Sequence, residues 1–181
     1  MRQAGLPLKV VQRLTQAGRV QVVQRGVYQL LSLPAAPHAE LLEVSLRGPY
    51  ARVTLVSALN LHGLTTTQPV RLQLTIPSNR AFPDLAFPPV QVFWFPPEVH
   101  AAGVQDWQEA EVSFPVYPPE KTIADLLRLE WRLGRDLSLE GLRTDLLPPD
   151  RRVPELLAMA RVCGVEVQLR RDLEMLHTAD H

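Results

Sequence analysis

The residues that could support chemistry are few and scattered along this chain. Of its five histidines, His177 and His181 are four apart in a tail that we expect to be frayed, and Glu98 and His100 lie two apart in an expected loop, which is weak for a metal site. His62 lies at the end of a predicted helix, where a histidine commonly packs or caps carbonyl groups. The sequence has no glycine-rich phosphate loop, no GxSxG motif and no HExxH motif. These residues therefore predict neither a metal site nor a catalytic histidine.

The remaining reactive groups are two charged pairs and one cysteine. Glu109 and Glu111 share a strand face without a lysine at nuclease spacing, which favours a solvated pair. Lys121 and Asp125 are four residues apart on a predicted helix, which predicts a surface ion pair rather than an active site. Cys163 is the only cysteine, so it excludes an internal disulfide, and we expect it to be a small buried residue. We therefore predict a protein that is not an enzyme and uses no metal or cofactor.

The distribution of charge indicates a binding partner. The chain has 181 residues, with 19 basic and 19 acidic side chains, yet its first acidic residue is Glu40. A basic segment without acids, on a body with an acidic excess, predicts contact with a polyanion, and chance clustering is the alternative. The basic residues before Glu40 are Arg2, Lys9, Arg13, Arg19 and Arg25.

The basic segment has the pattern of a short helix followed by a β-hairpin. A helix is predicted over residues 6–17, with Pro7 in its first turn and Gly18 as its left-handed end. Its apolar stripe is Leu6, Val10, Leu14 and Ala17. The hairpin is predicted from Arg19 to Leu31, with its turn at residues 24–26. This order is typical of the recognition helix and wing of a winged helix-turn-helix. The predicted DNA-binding residues are Lys9, Gln12, Arg13, Gln16, Arg19 and Arg25.

The predicted winged helix is incomplete. A winged helix needs two helices before its recognition helix, and only Met1–Gly5 precede this one. Residues 1–33 are therefore predicted as a partial winged-helix segment, either truncated at its start or a relic. Pro34 and Pro37 separate it from residues 38–181, which are predicted as a second domain with its own core.

The second domain is predicted to be α+β, with a small mixed or antiparallel sheet between helical segments. Strands are predicted over Val70–Ile76, Val90–Trp94, 104–109 and 111–117, the first two half-buried. Helices are predicted over 38–47 (with Leu41, Leu42 and Leu46 on one side), Thr54–Gly63, Pro119–Gly134 (with Trp131 in its apolar stripe), from Ser138 as a cap through Leu139, Leu142 and Leu146, from Pro154 to Gly164, and over 165–176.

Composition fits a protein of the cytoplasm. Hydrophobic residues make up 46% of the chain and charged residues 21%, as in soluble globular proteins. No apolar run approaches the ~20 residues of a membrane span, and no signal-like stretch opens the chain. We therefore expect a cytoplasmic protein without a membrane partner.

Several stretches resemble AbiEi-type antitoxins, the regulatory half of type IV toxin–antitoxin systems linked to abortive phage infection. The most specific part is serine-alanine-leucine followed by histidine-glycine-leucine. In order, the stretches are Gln24–Tyr28 with Leu30, Leu55–Leu59 running into Leu61–Thr66, Val70–Pro77, Val116–Asp125 and Gly134–Leu137.

The resemblance implies a protein in two parts. An N-terminal winged helix binds operator repeats and represses the operon, and a C-terminal domain counteracts a nucleotidyltransferase-like toxin. The first helices of the family's winged domain are absent here. The residues shared in the body imply structural roles, since Gly63 and Pro119 end and start helices while Ser57 and Thr122 bond local backbone. We therefore predict an antitoxin of a type IV system that also binds operator DNA.

Two other functions remain open from the sequence. The chain is alternatively a stand-alone DNA-binding transcriptional regulator whose body senses a ligand or dimerises. A neighbouring toxin gene would favour the antitoxin, and its absence would favour the regulator. A nuclease-like enzyme built on the body is disfavoured because the sequence has no suitable cluster of acids.

Overall fold

The chain divides into two compact units. The computed structural model describes residues 7–24, 27–30, 39–85, 88–109, 112–145 and 153–179. The first unit comprises Met1–Ala39 with Glu109–Glu111, and the second comprises Glu40–Gln108 with Val112–His181. Each unit is described below by itself.

The described residues contain both helices and strands, which confirms the predicted α+β class. The helices are α1 (Leu8–Gln16), α2 (Ala39–Arg47), α3 (Leu55–Leu61), α4 (Pro97–Ala101), α5 (Pro119–Arg128), α6 (Glu130–Leu133), α7 (Arg135–Asp145), α8 (Val153–Cys163) and α9 (Glu166–Ala179). The strands are β1 (Val20–Gln24), β2 (Val27–Leu30), β3 (Arg52–Val53), β4 (Leu72–Pro77), β5 (Val90–Phe95), β6 (Gln105–Glu109) and β7 (Val112–Val116). Only β3 and α4 have no counterpart in the sequence analysis.

The strands form a hairpin and a mixed sheet. In the first unit, β1 pairs antiparallel with β2. In the larger sheet the order is β5-β4-β3-β7-β6. Strand β3 is antiparallel to β4 and parallel to β7, while β4 is parallel to β5. The sheet is therefore mixed, one of the two arrangements predicted.

Strand β4 is buried on both faces, so the prediction of a half-buried strand is wrong. Thr75 is as inaccessible as Leu74 and Gln73 is 7% exposed, while Val70 lies before the strand with 94% of its surface exposed. Helices cover β4, because α3 and α4 contact it and Leu74 and Ile76 share an apolar cluster with Leu41 and Val44 of α2. The buried amide of Gln73 is satisfied by hydrogen bonds: its Oε1 accepts from the Val56 N–H at 2.9 Å.

Strand β5 buries the opposite set of side chains from the one predicted. Phe93 and Phe95 are buried, whereas Val90 and Val92 are half-buried and Trp94 is 56% exposed. The two rings belong to the core shared with the helices. Burial of the two phenylalanine rings removes more apolar surface from water than burial of the two valines would, so the face with the rings lies inward.

Two apolar clusters build the second unit, one involving each face of the sheet. One cluster joins β5 to α5, α7, α8 and α9 through Phe93, Leu126, Leu142, Leu156 and Leu169. The other joins α2 to β3, β4 and β7. Gly141 lies at a close approach of α7, because a Cβ atom there would be 3.3 Å from Ile123 and 3.4 Å from Leu59. A larger residue at this position would separate the helices.

Three predicted helix details are wrong. The helix predicted over Pro119–Gly134 breaks at Leu129, where φ is −104° and ψ is 14°, and a short α6 follows. The break turns Trp131 out of the apolar stripe, leaving it 81% exposed. Ser138 is not a cap but a buried residue inside α7, where its hydroxyl donates to the Arg135 carbonyl at 2.7 Å.

Helix α2 also differs in its buried side. Leu41 and Val44 are buried, whereas Leu46 is 38% exposed. Residues 41 and 44 are three apart and share a helix face, while residue 46 lies on another. Leu146, which was predicted to continue the stripe of α7, falls outside the described residues. In the described part of the chain, no helix has both the length and the apolar character that crossing a bilayer requires.

Candidate functional site

The polar face of α1 presents the residues predicted to bind DNA. Lys9, Gln12, Arg13 and Gln16 are all exposed. Their spacing of three, one and three residues places them on one side of the helix. Helix α1 has no acidic residue in its first turn. The four side chains therefore form a continuous donor-rich surface, which we call the α1 basic face.

Gly18 fixes the path from α1 into the hairpin. Its φ of +64° is in the left-handed region, which glycine adopts without a steric cost. The Gly18 N–H donates to the Thr15 carbonyl at 3.0 Å, and the Arg19 N–H donates to the Leu14 carbonyl at 3.0 Å. These two bonds form a Schellman motif, as the predicted stop at Gly18 requires. Arg19 is exposed directly before β1.

The first unit departs from the predictions in two respects. Pro7 is the N-cap residue of α1, with ψ at 136°, rather than a residue of its first turn. The predicted apolar stripe is shallow, because Val10 and Leu14 are half-buried and Ala17 is exposed. Leu6 and Arg25, with the predicted turn around Gly26, fall outside the described residues.

The second unit contains a buried ion cluster, so the prediction that Lys121 and Asp125 form a surface pair is wrong. The Lys121 ammonium donates to Asp125 Oδ2 at 2.5 Å, and both side chains have no exposed surface. Arg128 Nη2 lies 3.5 Å from Asp125 Oδ1. The Cys163 thiol donates to the same Oδ1 at 3.4 Å. The cluster joins α5 to the end of α8 inside the core.

Aromatic rings surround the two cations of this cluster. Lys121 Nζ lies 4.3 Å from the ring centroid of Tyr117, and Arg128 Cζ lies 4.0 Å from that of Phe95. Ring faces attract cations and partly replace the water that burial removes. The Tyr117 hydroxyl donates to the His100 carbonyl at 2.7 Å. A buried charge is tolerated here because carboxylate and rings together compensate it.

Burial changes the acidity of the groups in the cluster. It raises the pKa of the Asp125 carboxyl, while Lys121 and Arg128 oppose this change. Burial also raises the pKa of the Cys163 thiol to about 12, with the neighbouring Asp125 acting in the same direction. A thiol with this pKa is protonated at neutral pH and unreactive. Lys121 and Asp125 are closed to solvent, whereas 22% of the Arg128 side chain is exposed, so the pair lies in the core and only Arg128 reaches the surface.

His100 and Glu98 do not form the weak metal pattern that their spacing offers, because one side chain is buried and the other is exposed. His100 is 5% exposed and donates from Nε2 to the Tyr50 carbonyl at 2.8 Å, whereas Glu98 is exposed. Among the described residues, no three histidine, cysteine or acidic side chains meet as a metal site would require. His100 therefore ties the loop after α2 to α4.

We expect His100 to make stability pH-dependent. Burial lowers the pKa of His100, with Arg52 and Lys121 acting in the same direction, while bonds to the Tyr50 and Thr75 carbonyls oppose it. The unfolded chain takes up a proton near the ordinary value of about 6.5. The free energy of unfolding should therefore fall as the pH drops below about 6.5 toward the lowered folded pKa.

The test compares urea unfolding at about pH 7.5 and about pH 5.5, on either side of that ordinary value. His100→Gln keeps a donor for the Tyr50 carbonyl but cannot take up the proton, so its pH dependence should be smaller. His177 is exposed, and His177→Gln is the matched control that should retain the full dependence. Equal pH dependence in the wild type and in His100→Gln would contradict the assignment.

His62 has the packing role that its position predicted. It is the C-cap residue of α3 and donates from Nε2 to the Tyr117 carbonyl at 2.8 Å. Its ring packs edge-on against Trp107, with centroids 5.3 Å apart. His62, Gln105 and Glu120 border an open cavity of about 330 Å³ at the start of α5.

A second buried carboxylate holds the helices that follow α5. Arg135 Nη2 donates to Asp172 Oδ1 at 2.5 Å, and Asp172 has no exposed surface. Arg135 Nη1 donates to Glu130 Oε1 at 3.2 Å, and Gln168 Nε2 also donates to Glu130. The network links α6 and α7 to α9, which fixes the short helix carrying the exposed Trp131.

No family model matches the chain, and a search of curated proteins found none with significant similarity.

Proposed function

We propose that the protein is a DNA-binding antitoxin of a type IV toxin–antitoxin system. In this proposal the α1 basic face and the β1–β2 hairpin contact operator DNA as a recognition helix and wing. The second unit counteracts a nucleotidyltransferase-like toxin. The toxin half of the proposal rests on the resemblance to AbiEi-type antitoxins, and the DNA half rests on the surface of α1.

The α1 basic face is the observation that supports DNA binding. Its two cations and two amides are exposed together, and side chains of these types bond phosphates and base edges. No residue of α1 is fully buried, so the face is free of the constraint that core packing imposes. A helix of nine residues enters the major groove at one end, with the wing on the backbone.

The expected DNA binding is weak and mainly electrostatic. Lys9, Arg13 and Arg19, with Arg25, offer three or four phosphate contacts. Neutralising this many phosphates gives a slope of about −3 when the logarithm of the affinity is plotted against the logarithm of the salt concentration. Exchanging Lys9 and Arg13 for glutamine should reduce the magnitude of the slope by about 2, because each contact contributes about one unit.

A fluorescence-anisotropy titration with labelled duplex DNA, at several salt concentrations, measures this slope. Arg143→Gln is the control, since it removes one exposed arginine from α7 and should leave the slope unchanged. Tight binding that ignores salt, or a slope that Lys9→Gln/Arg13→Gln leaves intact, would refute the assignment of the α1 basic face.

The antitoxin half is tested by genetics. If a nucleotidyltransferase-like gene flanks this one, its toxicity should be suppressed by co-expression of the wild-type chain. The Lys9→Gln/Arg13→Gln variant should suppress it equally well while losing operator binding. Absence of such a gene, together with operator binding, would instead favour the stand-alone regulator.

A further inference from the structure

The outer edge of the second unit's sheet is open at β5. Strand β5 ends the strand order, and no other strand in the described part of the chain pairs with its free edge. On the inner side, the Leu72 N–H donates to the Pro89 carbonyl and the Ser78 N–H donates to the Phe95 carbonyl. Backbone groups alternate in direction along a strand, so those of Val90, Val92 and Trp94 point away from β4.

Strand β5 lacks the sequence features that usually protect an edge. It has six residues in continuous register with β4, and its sequence contains no charged residue and no proline. Edge strands are normally blocked by charges, prolines, bulges or short length. A regular uncharged edge of this kind is suited to pairing with a further strand.

A groove of about 500 Å³ accompanies this edge on one face of the sheet. It is lined by Val90, Val92 and Trp94 of β5 and by Phe82 and Leu85 of the preceding loop, and one basic and one acidic side chain, Arg71 and Asp84, also line it. Because alternate side chains of an added strand point to the same face, the groove can receive every second residue of a partner.

Cations on the other face decide what kind of partner fits. Arg132 Cζ lies 4.9 Å from the ring of Phe93, and Arg128 Cζ lies 4.0 Å from that of Phe95, so both guanidinium groups flank β5. Arg132 is exposed and has no carboxylate within 4 Å among the described residues. Arg128 shares Asp125 with Lys121, so this cluster also has a net positive charge.

We propose that β5 binds an extended, acidic segment of another protein by strand addition. Backbone hydrogen bonds to Val90, Val92 and Trp94 supply the pairing, and the arginines select for carboxylates. A second copy of this chain fits less well, since pairing two β5 strands about a two-fold axis would bring two Arg132 side chains together. This inference does not depend on the DNA-binding role proposed above.

The probe is a fluorescein-labelled octapeptide of alternating valine and glutamate, followed by anisotropy with the full chain. It should bind at least about tenfold more tightly than the same peptide with lysine in place of glutamate. Val92→Pro removes an outward N–H, which an edge strand tolerates, and should weaken binding by at least about tenfold. Val92→Thr retains that N–H and should bind like the wild type.

Two further variants keep the test decisive. Arg132→Glu should reverse the preference between the two peptides, which decides the question even if Val92→Pro unfolds. Lys9→Gln/Arg13→Gln should bind the acidic peptide normally, which separates this site from the α1 basic face. Equal binding of both peptides, or loss of binding only with Lys9→Gln/Arg13→Gln, would overturn the proposal. So would a dimer in light scattering that Val92→Pro dissociates, because a second copy would then occupy the edge.

Discussion

Asp125→Asn is expected to lower the free energy of unfolding by about 3–5 kcal/mol, the range for removing one partner of a buried ion pair. The substitution keeps the size of the side chain but removes the charge that compensates Lys121. Because Lys121 has no exposed surface, its ammonium cannot recover water without opening the core. The ring of Tyr117 offsets only part of this loss.

A double variant separates loss of the charge from loss of packing. Lys121→Met/Asp125→Leu removes both charges and fills the space with apolar atoms, so it should recover much of the stability lost in Asp125→Asn. Arg170→Ala breaks an exposed pair with Glu166 and should leave stability nearly unchanged. Urea unfolding followed by tryptophan fluorescence measures the stability of each of these variants, because the three tryptophans of the chain belong to the second unit. If Asp125→Asn were as stable as the wild type, the pair would not be buried as described.

The location of this ion pair shows where local sequence reasoning fails. Lys121 and Asp125 are four residues apart, and that spacing alone describes a solvent-exposed pair equally well. What buries them is the packing of α3, α7, α8 and α9 around α5. Those contacts join distant parts of the chain, so no pattern within α5 could predict them.

Elements with strong periodicity were predictable. Helices α8 and α9 and the hairpin β1–β2 were located from apolar spacing and flanking glycines, because those signals act within a few residues. The same approach placed Trp94 and Trp131 in the core, and both are exposed. Trp94 is exposed because the layer of helices covers the other face of β5. Trp131 is exposed because the helix breaks at Leu129.

Of the two candidate sites, one could be predicted from the sequence and the other could not. The α1 basic face depends only on helical spacing, so its exposed residues could be predicted from sequence. The open edge of β5 depends on strand order, which no local pattern encodes. The sheet runs β5-β4-β3-β7-β6, so β3, the first of these five strands in chain order, is central through its pairing with β4 and β7, while β5, the third, lies at an edge. Recognising β5 as an edge therefore required the fold.

Leu126→Ala is expected to lower the free energy of unfolding of the second unit by about 2–5 kcal/mol. Leu126 is 1% exposed within the cluster that joins β5 to the helices, so truncation leaves a cavity that surrounding side chains fill only in part. Leu46→Ala is the matched control on α2, where 38% of the side chain is exposed, and should cost less than about 1 kcal/mol.

Leu126→Ala also distinguishes a loss of function caused by unfolding from a loss caused by a missing contact with a partner. Leu126 is buried, so under the proposed antitoxin function Leu126→Ala should reduce toxin suppression only in proportion to the unfolded fraction. Lowering the growth temperature should then restore suppression in Leu126→Ala. The α1 basic face lies in the first unit, so DNA binding should persist at concentrations of urea that unfold the second unit of this variant. Simultaneous loss of DNA binding and tryptophan fluorescence would show that the two units unfold together, against the independence on which the proposed division of functions depends.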